Sequence, residues 1–92
     1  MIKSFRHKGI EKLFQEDDRS KVNQDHLPKL LRILDRLDAS TCPQDMNLPG
    51  YRLHELKGKY KNHWSVWVTG NWRVIFQFQG QDAINVDFQD VH

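Results

Sequence analysis

The chain has 92 residues, 38% of them hydrophobic, with a formal net charge of +2 and one cysteine. That length fits one domain, and a lone Cys42 excludes a fold stapled by internal disulfides. No apolar run approaches the ~20 residues that span a bilayer, and the opening Met1 to Lys8 lacks the apolar stretch of a secretory signal, so the chain reads as soluble and cytoplasmic.

In chain order, Met1 to Phe5 is a short β-like start. Ile10, Leu13 and Phe14 then recur at helical spacing and predict a short helix over Lys8 to Gln15. The polar stretch Glu16 to Gln24 is a loop. A second helix starts near Asp25, which is placed to cap it, with Pro28 tolerated in its first turn. Leu27, Leu30, Leu31, Leu34 and Leu37 give this helix one apolar stripe. Asp35 and Asp38 oppose the helix dipole, so the end of the helix is set only loosely. Ala39 to Gly50 carries Ser, Thr, Pro, Asn and Gly and has no helical period.

The second half alternates. Tyr51 to Leu56 is a candidate strand, followed by a basic, Gly-containing loop from Lys57 to Asn62. Trp64, Val66 and Val68 alternate with Ser65, Trp67 and Thr69. Gly70-Asn71 is a two-residue hairpin signal, and Trp72, Val74, Phe76 and Phe78 then alternate with Arg73, Ile75 and Gln77. Gly80 to Asp82 turns the chain, and Ile84, Val86 and Phe88 alternate with Asn85, Asp87 and Gln89. Helices first and an antiparallel meander after them predict an α+β domain, two helices packed on one face of the sheet. The Leu stripe packs on the face of Trp72, Val74, Phe76 and Phe78, which leaves Arg73 and His54 on the other face. Asp90 shares parity with Ile84, Val86 and Phe88, so it reaches that other face only if the last strand ends or bulges before it.

The charge is uneven. From Tyr51 to Gln79 the bases Arg52, Lys57, Lys59, Lys61 and Arg73 face a single acid, Glu55, whereas acids cluster in the first half as Glu16-Asp17-Asp18. Such asymmetry suits a polyanion, although on charge alone a solvated lysine-rich loop stays the leading reading. The five histidines have no paired spacing on one helix and no cysteine partners, so no metal site is read. Gly-rich phosphate loops, nucleophile elbows, zinc fingers and helix-turn-helix patterns are absent. The residues left for chemistry are His54, Lys57, Asn71, Arg73, Asp90 and His92.

Three motifs in order carry a resemblance over essentially the whole chain. Tyr51-Arg52-Leu53-His54-Glu55-Leu56-Lys57-Gly58 resembles the L-x-x-L-x-G strand and loop of the HigB-type toxins of the RelE/ParE superfamily. Asn71-Trp72-Arg73-Val74-Ile75-Phe76 is similar to their N-W-R strand, and Asp90-Val91-His92 to their D-Y-H terminus. The opening Ile2-Lys3-Ser4-Phe5, with a lysine and a glycine soon after, also fits. The resemblance implies a RelE-like fold and ribosome-dependent cleavage of messenger RNA, by attack of the RNA 2′-hydroxyl on the neighbouring phosphate, without metal or cofactor. Such chemistry needs a base, an acid and cations at the phosphate. The implied roles are phosphate binding for Arg73, proton transfer for His54 and His92, and orientation of a histidine or proton uptake for Asp90. Lys57 would contact the phosphate, with Lys59 and Lys61 binding RNA beside it. Asn71 would bond backbone or base, or act as a plain hairpin residue.

Val91 departs from the family's tyrosine. It cannot stack flat on a base, a contact worth about 1–3 kcal/mol. Tyr60 or Trp67 offers another aromatic surface. The resemblance also implies a helix-turn-helix, HigA-like antitoxin that contacts the first helix and nearby loops, and operator DNA reached through it. Two alternatives stand beside this reading: a ParE-like toxin that inhibits gyrase without catalysis, and a module that holds RNA without cutting it.

Overall fold

The computed structural model describes residues 1–91; His92 lies outside the described residues. Two helices, α1 (Lys8–Glu16) and α2 (Leu27–Ala39), precede four strands: β1 (His54–Glu55), β2 (Trp64–Thr69), β3 (Trp72–Gln79) and β4 (Asp82–Asp90). The strands pair in sequence order, each antiparallel to the next.

The N-terminal residues have a defined place. Ile2 and Phe5 make parallel bridges to Ala83 and Val86, so the segment lies along β4 and covers that edge of the sheet. Asp38, near the end of α2, accepts a hydrogen bond from the Ile2 backbone N–H at 2.9 Å. This bond gives an acid near the C-terminal end of a helix a structural use that outweighs its poor fit to the dipole.

His7 caps α1, its Nδ1 accepting from the Ile10 N–H at 3.2 Å. Gly9 is what lets the imidazole sit there, because a Cβ at that position would lie 2.8 Å from His7 Cε1. A 3-10 turn, Gln24–His26, leads into α2. Its cap is Asn23, which accepts from the Asp25 N–H at 2.9 Å, so Asn23 and not Asp25 starts this helical run. Pro28 lies in the first turn, as its missing N–H permits.

The α2 stripe is Leu27, Leu30, Ile33, Leu34 and Leu37, all buried. Ile33 is fully inside, while Leu31 is only half-buried. With Ile10 and Leu13 of α1, these side chains pack on Val66, Val68, Val74, Phe76, Ala83, Val86 and Phe88 of the sheet. Met46, from a 3-10 turn (Pro43–Met46) in the long connection, closes the core. Burying side chains of this size stabilises by about 1.5–3 kcal/mol each.

Strand parity changes within β4. Ile75 pairs with Asp87 but Gln77 pairs with Ile84, so β4 holds one more residue than β3 between these pairs. Asn85 takes up the excess at φ 54°, and its side-chain amide donates to Gln77 Oε1 at 2.7 Å. Ala83, rather than the expected Ile84, therefore faces the core. β1 is also shorter than the alternation predicts, because Arg52 at φ 50° interrupts the extended run before His54.

Candidate active site

Cross-strand partners in an antiparallel sheet project to the same side. On the face away from the helices two rows follow from the register. One runs His54, Ser65, Ile75, Asp87; the next runs Trp67, Arg73, Gln89. Arg73 and His54 thus share the face that the alternation assigns to them. Arg73 is half-buried and its Nη1 donates to Ser65 Oγ at 3.3 Å, which draws the guanidinium toward the residue directly opposite His54.

Among the described residues Arg73 makes no ion pair with a carboxylate. The plausible competitor, Asp87, is committed elsewhere: Oδ1 accepts from the Phe88 N–H at 2.9 Å and Oδ2 from Gln89 Nε2 at 2.7 Å. An arginine held by a neutral hydroxyl retains its positive charge and most of its five donors for an anion.

The basic loop does not project freely. A 3-10 turn, Gly58–Tyr60, folds back so that Tyr60 Oη donates to Gln89 Oε1 at 3.1 Å, across the sheet from β1. His63 Nδ1 lies 3.2 Å from the Tyr60 carbonyl and 3.1 Å from that of Lys61, while Arg6 Nη1 lies 3.2 Å from His63 Nε2. An arginine only donates, so His63 accepts at Nε2 and carries its proton on Nδ1 toward those carbonyls. The loop roofs part of this face, where Ile75 is 1% exposed although it stands outside the helix-side core. Lys57, Lys59 and Lys61 remain exposed around it. Tyr60 is therefore used partly as a tether.

Trp67 is taken up by cations. Lys29 Nζ and the Arg52 guanidinium each lie 4.2 Å from its ring centre, and Lys29 also donates to the Gly50 carbonyl at 3.0 Å. Burial, with Arg32 and Arg52 nearby, lowers the Lys29 pKa from its ordinary value.

The other expected residues gather at the far end of the sheet. Asn71 is at the tip of the β2–β3 hairpin, and its carbonyl accepts from the Val91 N–H at 2.7 Å, which holds the chain end against the hairpin. Asp90 is the last residue of β4 and pairs with Trp72. The bulge at Asn85 comes before both Val86 and Phe88, so it does not change the parity of Asp90 relative to them. The strand also runs on through Asp90, whose Cβ emerges on the side of Trp72 and Phe88. The structure thus sets His54 and Arg73 on the two strands that flank Ser65, and places Asn71, Asp90 and the exposed Val91 together at the strand ends, with Asp90 on the helix side and not on the face of Arg73.

Ser65, Arg6 and His63 emerge only from the fold, as does the tethering use of Tyr60. The parity of Ser65 with Trp67 was the one available signal. A cavity of 240 Å³ bounded by His7, His26, Trp72 and Phe88 lies on the helix side, and none of the candidate residues among the described residues lines it. Among the described residues no three His, Cys, Asp or Glu side chains come together as a metal-ligand group.

Residues 3–92 match the model of the RelE-like toxin of the type II toxin–antitoxin system HigB. The chain belongs to the HigB-like toxin family. It is similar to endoribonuclease HigB of Proteus vulgaris, 38% identical over 92 residues and the full length of both chains. Toxin HigB-1 of Vibrio cholerae serotype O1 is 31% identical over 94 residues, spanning 100% of this chain and 98% of that one. Among solved structures, a mutant of YafQ from E. coli superimposes with a TM-score of 0.63 at 17% identity, covering 98% of this chain and 93% of that one. YafQ from E. coli strain BL21(DE3) gives 0.57 at 14%, with the same coverage. The two YafQ structures share the α+β fold. As a HigB-like toxin, the chain acts within a type II toxin–antitoxin pair and has an antitoxin partner. Among the described residues no helix is long and apolar enough to cross a membrane.

Proposed function

We propose that this toxin is an endoribonuclease that cleaves messenger RNA on the ribosome without a metal ion. The observation that carries the reading is the placement of Arg73. Its guanidinium lies on the sheet face away from the helices, oriented by a neutral hydroxyl and in the row beside His54. The full-length similarity to a protein named endoribonuclease HigB supports it.

In the proposed reaction a base removes the proton of the RNA 2′-hydroxyl. The 2′-oxygen bonds to phosphorus as the bond from phosphorus to the 5′-oxygen breaks, and an acid protonates that leaving oxygen. The products are a 2′,3′-cyclic phosphate and a 5′-hydroxyl. His54 is one proton-transfer group and His92 supplies the other, while Asp90, which leaves β4 on the helix side, serves to orient that histidine and not to meet the RNA. Negative charge grows on the phosphate oxygens in the transition state, where Arg73 donates paired hydrogen bonds and Lys57 adds a point charge. Lys59 and Lys61 extend the cationic surface along the RNA backbone. Asn71, beside Val91, contacts the substrate at the strand ends.

The proposed antitoxin is a HigA-like helix-turn-helix protein that docks on α1 and the adjoining loops and carries the pair to operator DNA, all in the cytoplasm. Purified toxin incubated with programmed ribosomes, labelled message and chelator tests the reading. Cleavage that falls about 10²–10³-fold with Arg73→Ala supports it. Growth arrest in cells without any cleavage would instead favour inhibition of gyrase.

A further inference from the structure

We infer that Ser65 is a positioning residue for Arg73, an assignment that rests on the nuclease reading of that arginine. Ser65 sits in β2, paired through its backbone register with His54 on one side and Ile75 on the other, and it is 0% exposed. Its hydroxyl has one side-chain torsion and a fixed place in the sheet. The arginine that donates to it at 3.3 Å has a long, flexible stem and is only half-buried. Without the serine, that stem samples several rotamers whose loss must be met when phosphate binds.

The chemistry of the partner matters as much as its place. A carboxylate at position 65 would orient the guanidinium but neutralise it and compete with phosphate. A hydroxyl accepts one N–H and leaves the charge intact. Ser65 also pairs through its backbone with His54, so it stands on the strand between that of the cation and that of a proton-transfer group. The residue is itself too buried to meet RNA, so its effect passes through Arg73.

The test is single-turnover cleavage of ribosome-bound message by the native toxin, Ser65→Ala, Ser65→Thr, Arg73→Ala and the Ser65→Ala/Arg73→Ala double variant, with thermal melting of each. Ser65→Ala is expected to cleave about tenfold more slowly, because an arginine free to take other rotamers is less often placed to meet the charge that develops on the phosphate. Half-saturation by programmed ribosomes should stay within about twofold, because that placement is used in the chemical step and not in docking. Ser65→Thr, which keeps the hydroxyl, should recover most of the rate. In the Arg73→Ala background Ser65→Ala should cost nothing further. Native turnover by Ser65→Ala, or the same tenfold loss with and without Arg73, would overturn the inference and leave the nuclease reading standing. Full activity of Arg73→Ala would overturn both.

Discussion

The hydroxyl of Tyr60 donates to Gln89 Oε1 at 3.1 Å, and this bond ties the loop after β1 to the last strand of the sheet. Lys57, Lys59 and Lys61 surround that tether. Tyr60→Phe removes only the hydroxyl and should cost about 0.5–1.5 kcal/mol in urea unfolding. It should also weaken RNA binding several-fold at fixed salt, because three cations are then less well ordered. Unchanged affinity would mean that the loop needs no tether.

Asn85 gives a sharper contrast. It holds the β4 bulge at φ 54°, where a β-branched residue is strained. Asn85→Val should destabilise by about 1–3 kcal/mol, whereas Asn85→Gly should stay within about 1 kcal/mol of the native chain. Denaturant midpoints of the two variants decide the matter. Equal losses would show that the bond to Gln77, and not the backbone conformation, matters at this position.

These positions also mark the limit of what the sequence conveys. Alternation of apolar residues located the later strands and the Gly70-Asn71 hairpin, because each strand of the meander buries one face. It put Arg73 opposite the helices for the same reason. Parity arguments fail wherever a residue leaves the pleat. Asn85 turned Ile84 out of the core and put Ala83 in, and Arg52 cut β1 short. Ile33 was passed over for Leu31 in the helix stripe, since the leucines alone already read as a face. The partnership of Ser65 with Arg73 and the tether from Tyr60 to Gln89 depend on strand register and loop path, which periodicity does not encode. Family motifs, rather than any pattern of period, pointed to His54, Lys57 and Asp90.

His26 is 8% exposed, and among the described residues its Nδ1 has no hydrogen-bond partner. Its ring lies 5.2 Å from that of Trp72 and 5.5 Å from that of Phe88. Phenylalanine keeps an aromatic ring there and removes the unpaired nitrogen, so His26→Phe should stabilise by about 1 kcal/mol. A loss of stability in thermal or urea unfolding would show that the nitrogen is satisfied in solution.

Asp45 sets a pH dependence. The Thr41 backbone N–H donates to its Oδ2 at 2.9 Å, and this bond, aided by Cys42, holds the carboxyl pKa below its ordinary value. A carboxyl lowered in the folded state contributes its full stabilisation above its unfolded pKa and loses it as the pH falls through the folded value. Asp45→Asn should therefore flatten the fall in stability on acidification below the ordinary carboxyl range and leave the neutral-pH slope unchanged. An identical acid limb in both proteins would contradict the assignment.

The central claim concerns bond cleavage by the chain's own side chains, and the ends of the cut RNA report on it most directly. Message cleaved on ribosomes in chelator should carry a 2′,3′-cyclic phosphate on one fragment and a 5′-hydroxyl on the other, with the rate falling about 10²–10³-fold in Arg73→Ala. Fragments bearing a 5′-phosphate, or cleavage that stops in chelator while Arg73→Ala remains fully active, would contradict it.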